Sequence, residues 1–272
     1  MIWLFFEPCE NEKICKSIKV NLLFVFGFWI SPRSTLKDLS NIDIELPISY
    51  DFLTAYPVCD FGPLQQECGC CYAYGPLKSM SHRFCKALSK KIVLSSQYVV
   101  ACDLSDNGCT GGCERTVYYF MEQYGITDAE CHPWKGITKY SNDFCTECSA
   151  KGHNREFKKY KAVFGSTRHV KGIENIKKEI LLNGPVSASI KTDQGFQMYR
   201  GGIYKSSLKG KIEAGNHAVE ITGWGIENGT EYWIILNQYG TQWGENGKMK
   251  IKMGSNEGLI ESFIYSAEPL LD

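Results

Sequence analysis

The stretch Gln65-Gln66-Glu67-Cys68-Gly69-Cys70-Cys71-Tyr72-Ala73-Tyr74 sets Cys71 where a Cys- and Gly-rich loop turns into a helix. Behind it, Leu77, Met80, Phe84 and Leu88 recur at a spacing of three to four, one buried stripe on a helix over 71–88. A thiol is nucleophilic as its thiolate, and a helix amino terminus stabilises that negative charge. Taken alone, Cys68 and Cys71 form a C-x-x-C, which reads equally as a redox pair or half a zinc site. The other such pair, Cys145 and Cys148, stands isolated and without finger-like spacing, so no metal centre is predicted.

Working outward, Ser95 is placed to cap a helix over 97–101, and residues 116–124 predict another that stops at Gly125. Residues 131–155 are rich in Cys, Gly and charge and read as disulfide-held loop. A further amphipathic helix covers 173–183 and ends at Asn183-Gly184-Pro185. After it, residues 186–191, 217–222, 232–236, 248–252 and 263–266 alternate like half-buried strands between glycine-rich turns. A helical half followed by a β half predicts an α+β fold of two lobes with a cleft between them.

Two more segments belong with the first. Gly215-Asn216-His217-Ala218-Val219 opens a strand, and Asn237-Gln238-Tyr239-Gly240-Thr241-Gln242-Trp243-Gly244 follows the next one. A lone strand histidine is usually a core or surface residue, and a lone asparagine a turn residue. Cysteine, histidine and asparagine in this order, on these element types, reverse that reading. An imidazole can take and return the thiol's proton, and an amide can hold the ring in the useful tautomer.

These motifs resemble the papain family of cysteine proteases, in its cathepsin B-like branch, over about residues 46–269. The family's C-G-[SA]-C-[WY] signature becomes Cys68-Gly69-Cys70-Cys71-Tyr72. Gly108-Cys109-Thr110-Gly111-Gly112 matches a glycine turn of that branch, and residues 223–233 match its strand–turn–strand. The resemblance implies a papain-like fold, with a helical lobe over about 60–155 and a β-barrel-like lobe over about 156–265. It implies Cys71 as nucleophile, His217 as proton shuttle, Asn237 as its orienting partner and Gln65 in the oxyanion hole. It assigns Gly111, Gly112, Ala218, Trp243 and Phe263 to substrate binding. It also implies the disulfides Cys59–Cys85, Cys68–Cys109, Cys102–Cys145 and Cys131–Cys148, and peptide substrates without a cofactor. Cys70 and Cys113 stay unassigned, a bridge between them being one alternative.

The chain departs from the family at four places. Cys70 replaces a small residue, and Pro76 falls inside the helix, where it removes a donor and should kink it. Tyr239 stands where a tryptophan is expected. The segment between Cys131 and Cys145 is short and holds His132 in place of a histidine pair. The resemblance then implies an endopeptidase with an open cleft, accessible to cystatin-like inhibitors, and Phe263 as an apolar floor to the P2 pocket. One alternative places Glu261 in that pocket; another makes the chain a weakened homologue that binds peptides or inhibitors.

Composition narrows the rest. Thirty Lys and Arg against thirty Asp and Glu argue against nucleic-acid or anionic-membrane binding by bulk charge. Thirteen cysteines in 272 residues predict a lysosome-like or secreted protein, and the odd count leaves at least one thiol unpaired within the chain. The apolar run over 20–30 is too short for a membrane helix. Residues 1–45 read as a leader or the tail of an inhibitory propeptide, ahead of a peptidase domain over 46–272.

Overall fold

The computed structural model describes residues 38–62, 68–136, 138, 142–149, 156–208 and 214–271. Most of the leader segment, and Gln65, lie outside them. The helices are α1 (Phe52–Ala55), α2 (Cys71–Leu88), α3 (Ser96–Cys102), α4 (Glu114–Gln123), α5 (Asn142–Thr146), α6 (Ile173–Asn183) and α7 (Gln194–Gln197). The strands are β1 (Tyr50–Asp51), β2 (Arg168–His169), β3 (Val186–Ile190), β4 (Ile203–Tyr204), β5 (His217–Glu227), β6 (Thr230–Leu236), β7 (Lys248–Lys252) and β8 (Ile264–Ser266).

Helix α2 organises the fold. Every residue from Tyr72 to Cys85 is buried, so both lobes pack on it rather than one lobe on a single stripe. It runs on through Pro76 to Leu88; the missing proline donor leaves only the Tyr72 carbonyl without its helical bond. On one side lie Tyr98, Val117 and Met121 of the helical core. The other side meets the sheet, through Ser79 Oγ donating to the Pro185 carbonyl at 2.7 Å and His82 Nδ1 against Glu220 Oε1 at 2.7 Å. Arg83 ties the same seam: its guanidinium reaches the carbonyls of Gly184, Pro185 and Ala267 and the Glu179 carboxylate.

The Ser95 hydroxyl accepts the Tyr98 N–H at 3.0 Å, as its predicted cap role requires. Helix α4 begins at Glu114, two residues ahead of expectation, because a buried acid occupies its first turn. The predicted loop over 131–155 contains the short α5. All four implied disulfides are formed. Cys70 is a buried free thiol, so the alternative bridge to Cys113 is not made.

The eight strands form one sheet in the order β2-β8-β3-β5-β6-β7-β4, with β1 paired to β5. The expectation of a barrel-like lobe is corrected here: the sheet stays open. Its end strands, β2 and β4, have two residues each, too short a ladder to close upon one another. Trp224, Trp233, Ile235 and Ile251 fill the sheet's core with Ile176 and Ile180 of α6.

Candidate active site

Cys71 is the first residue of α2, reached through Cys70, whose side chain turns into the helical core while Cys71 stays partly exposed. The two neighbouring thiols therefore face different surroundings. Across the interlobe seam β5 begins at His217, and the next backbone amide, that of Ala218, acts on the Cys71 thiol in favour of its thiolate. Strand β6 ends at Leu236 and delivers Asn237 beside the imidazole.

His217 Nε2 lies 2.9 Å from Asn237 Oδ1. The same Oδ1 accepts the Gln238 N–H at 2.9 Å, which identifies it as the amide oxygen and makes Nε2 the donor. Nδ1 is then the basic nitrogen. Gln238 Nε2 donates to the Ala218 carbonyl at 2.8 Å, so one residue ties the asparagine to the strand that carries the histidine. Tyr239 lies over the imidazole, ring centroids 5.0 Å apart, and is 38% exposed. Its ring packs against the imidazole from the position where tryptophan was expected.

Burial dominates the electrostatics of the site. It pushes the Cys71 thiol up to about 11, against the Ala218 N–H, which favours the thiolate. It pulls His217 down to about 4, against the Asn237 bond, which favours the imidazolium. Burial thus opposes both charged forms, while the Ala218 amide and the Asn237 bond favour them.

Gly111 and Gly112 follow the short turn Gly108–Thr110, whose Cys109 is joined to Cys68. The Asn107 N–H donates to the Gly111 carbonyl at 2.9 Å. At Gly112 a Cβ would meet Asp106 Oδ1 at 2.5 Å and the Tyr72 ring at 2.6 Å, so only glycine fits. Ser189 N–H donates to the Phe263 carbonyl at 3.0 Å, and Ser189 pairs with Ala218. Phe263, Ser189 and Ala218 thus make one cross-strand row, and directly opposed residues share a sheet face. That face meets α2, since a Cβ on Gly75 would touch Ala218 at 3.4 Å and Ser187 at 3.6 Å. Phe263 is half-buried and its ring stacks with His169, centroids 6.3 Å apart.

Glu261, the alternative occupant of that pocket, is committed elsewhere. It accepts from Trp233 Nε1 at 2.9 Å and from the amides of Gly254 and Asn256 at 2.7 and 3.0 Å. Trp243 is buried with its indole N–H on the Phe196 carbonyl at 3.1 Å, and backs Tyr239 edge-on. His132 is buried too, Nδ1 on Ser149 Oγ at 2.8 Å, with Tyr98 and Phe144 against its ring. Among the described residues no group of three or more His, Cys, Asp or Glu could hold a metal ion, and no helix is long and apolar enough to cross a membrane.

Three side chains beside the site went unnoticed in the sequence. Glu114 is fully buried, one oxygen near Ser187 Oγ at 3.3 Å, its acidity weakened by burial. Asp103 is buried, and the half-exposed Asp106 has Oδ1 close to Gly112. The turn-like run Ser105-Asp106-Asn107-Gly108 was the available signal for Asp106, but it reads as an exposed loop.

Comparison with known proteins agrees with this geometry. Residues 48–267 match the papain family cysteine protease domain. The cathepsin B-like CP2 of Giardia intestinalis is 34% identical, over 97% of this chain and 88% of that protein. The cathepsin B-like protease 1 of Arabidopsis thaliana is 33% identical, over 84% of this chain and 69% of its own. Among solved structures, procathepsin B S9 of Trypanosoma congolense superposes with a TM-score of 0.76 at 26% identity, covering 90% of this chain and 84% of that one.

Proposed function

The chain belongs to the papain family of cysteine proteases and is cathepsin B-like, and from that membership we propose that it is an endopeptidase using Cys71, His217 and Asn237. The observation that supports the reading best is the imidazole of His217 held by Asn237 at 2.9 Å, at the start of the strand that packs against the helix beginning with Cys71. Cys71 Sγ attacks the scissile carbonyl carbon while its proton passes to His217 Nδ1. The carbonyl oxygen takes the negative charge, received by the Cys71 N–H at the helix terminus and, by resemblance, the Gln65 amide. His217 then protonates the leaving amine, and water hydrolyses the thioester by the reverse proton path. The negative charge that develops on the substrate stabilises the imidazolium that burial disfavours.

Specificity follows from the row on β8, β3 and β5. A pocket of Phe263, Ser189 and Ala218, flanked by Gly111 and Gly112, favours an apolar P2 residue, because an arginine there would lose water without gaining a carboxylate. His132 points into the core, so it does not offer a cation for a substrate's terminal carboxylate. Internal cleavage, a cleft open to cystatin-like inhibitors, and residence in a lysosome-like or secreted compartment complete the reading; four disulfides suit oxidising surroundings.

A weakened, peptide-binding homologue is the second reading, favoured by burial that opposes both charged forms at Cys71 and His217. Labelling the matured chain with a peptidyl epoxide separates the two. The endopeptidase labels at Cys71, is abolished by Cys71→Ala, and cleaves a P2-Phe peptide at least about tenfold better than its P2-Arg counterpart, a gap of about 1.4 kcal/mol. Absence of labelling, with peptide binding retained, selects the second reading.

A further inference from the structure

Gln238 makes two bonds that a regular strand would have arranged differently. Strands β5 and β6 pair antiparallel with Glu220 opposite Leu236, a register that sets Ala218 opposite Gln238 two residues further on. On the other side of β5, Ala218 stands opposite Ser189 of β3, whose N–H goes to the Phe263 carbonyl instead. That pair is therefore of the kind without mutual hydrogen bonds, and Ala218 turns its N–H and carbonyl toward the β6 side. In a ladder continued this far, the Gln238 main-chain N–H would take the Ala218 carbonyl. The chain does otherwise. Strand β6 ends at Leu236, the Asn237 N–H goes to the Gly247 carbonyl at 2.9 Å, and the Ala218 carbonyl receives the Gln238 side-chain Nε2 at 2.8 Å. The main-chain N–H so released donates to Asn237 Oδ1 at 2.9 Å. Gln238 is buried, so water does not compete for these groups.

We propose that Gln238 is a positioning residue: its side chain replaces a ladder bond so that its main-chain N–H can fix the Asn237 amide, and through it the His217 tautomer. This rests on the reading of His217 and Asn237 as the proton-handling pair. The contact between His217 Nε2 and the Asn237 amide does not by itself choose a tautomer. Turned over, the amide would offer an Nδ2–H to a bare Nε2, and the ring's proton would sit on Nδ1, the nitrogen that has to receive one from Cys71. Asn237 Nδ2 is buried and has no acceptor among the described residues, so nothing on that side resists the turn. The Gln238 N–H does resist it, because a turned amide would set two donors against each other. Its own alternative acceptor, the Ala218 carbonyl, is kept occupied by the side chain of the same residue.

Gln238→Met keeps the length of the side chain and removes its donor. The Ala218 carbonyl is then open to the Gln238 position's N–H, and Asn237 loses the partner that sets its orientation. Measured per epoxide-titrated site on a P2-Phe peptide, kcat should fall at least about threefold, the loss expected for one neutral hydrogen bond, with KM within about twofold. In an Asn237→Ala background, where there is no amide to orient, the same substitution should cost less than about twofold. A smaller loss of kcat in the first case, a loss carried by KM, or an equal loss repeated in the Asn237→Ala background overturns the proposal.

A second readout needs no turnover. In Cys71→Ala, at a pH where the ring is neutral, the nitrogen chemical shifts of the His217 imidazole report which nitrogen carries the proton. With Gln238 in place it should be Nε2 alone; with Gln238→Met added, Nδ1 should share the proton. A single Nε2–H form in both chains, or an Nδ1–H form with Gln238 present, overturns the inference. If Cys71 of the unmodified chain takes no epoxide, the proposed function fails, and the tautomer still decides the inference.

Discussion

Removing the Asn237 side chain tests the proposed site where its chemistry is most exposed to failure. Asn237→Ala deletes the Oδ1 that accepts from both His217 Nε2 and the Gln238 amide, and leaves two buried donors without a partner. The same bond favours the imidazolium, so its loss lets burial pull His217 lower still and makes proton acceptance from Cys71 harder. Hydrogen bonds to charged groups contribute about 1.5–3 kcal/mol, which corresponds to a fall in kcat/KM of roughly 10- to 150-fold. The loss should fall on kcat, because the substitution takes nothing from the substrate's own binding surface. The assay is steady-state cleavage of a P2-Phe peptide, normalised to epoxide-titrated sites, with the alkylation rate of Cys71 followed against pH. Asn237→Asp, which keeps an acceptor oxygen, should recover part of the rate and move the alkaline limb upward, since an anion stabilises the imidazolium. An Asn237→Ala enzyme within threefold of the unmodified rate, or one that changes only KM, would refute the assignment of Asn237 as the orienting partner.

Other changes probe what holds the site in place. Arg83→Met removes the guanidinium from three carbonyls and from buried Glu179; the stranded charge should cost about 3–5 kcal/mol, a fall in Tm of roughly 6–20 °C by calorimetry. Gly223→Ala would drive a Cβ into the Tyr50 carbonyl oxygen, so β1 must leave β5; stability should drop by about 1–3 kcal/mol or more in denaturant titration, and the Tyr50 ring should part from the Trp224 indole it now packs against. Burial opposes ionisation of Asp193, but the Ser207 and Tyr204 hydroxyls and the Phe196 and Ser207 amides outweigh it and hold the acid well below the usual carboxylate range. Its stabilisation is therefore present above about pH 4 and lost as pH falls further. The Tm difference between Asp193→Asn and the unmodified chain should be larger at pH 6 than at pH 3.

Patterning along the chain was enough to place α2, α6 and most of β3, β5, β6 and β7, although α2, β3 and β5 are buried on nearly every side rather than along one repeating face. The same local reading put Cys71 at a helix start, His217 at a strand start and Asn237 after the following strand. The matching disulfides were inferred through family resemblance, and covalent geometry in the fold accommodates all four. What the sequence could not supply were contacts between segments far apart along it. The two-residue strands β1, β2 and β4 carry no periodicity of their own and exist only through their partners. The open sheet is a consequence of how short its end strands are, which no residue pattern announces. Glu261 and Phe263 stand two apart on the same segment, and only the turn at Gly254–Asn256 and the Trp233 indole show that the carboxylate is occupied there. Asp106 reads as an ordinary turn acid until the fold brings its carboxylate against Gly112, and the burial that opposes charge on Cys71 and His217 likewise arises only when the two lobes close on α2. Residue type and spacing fixed which groups could do chemistry; desolvation and proximity, which depend on the whole tertiary structure, decided their charge and their partners.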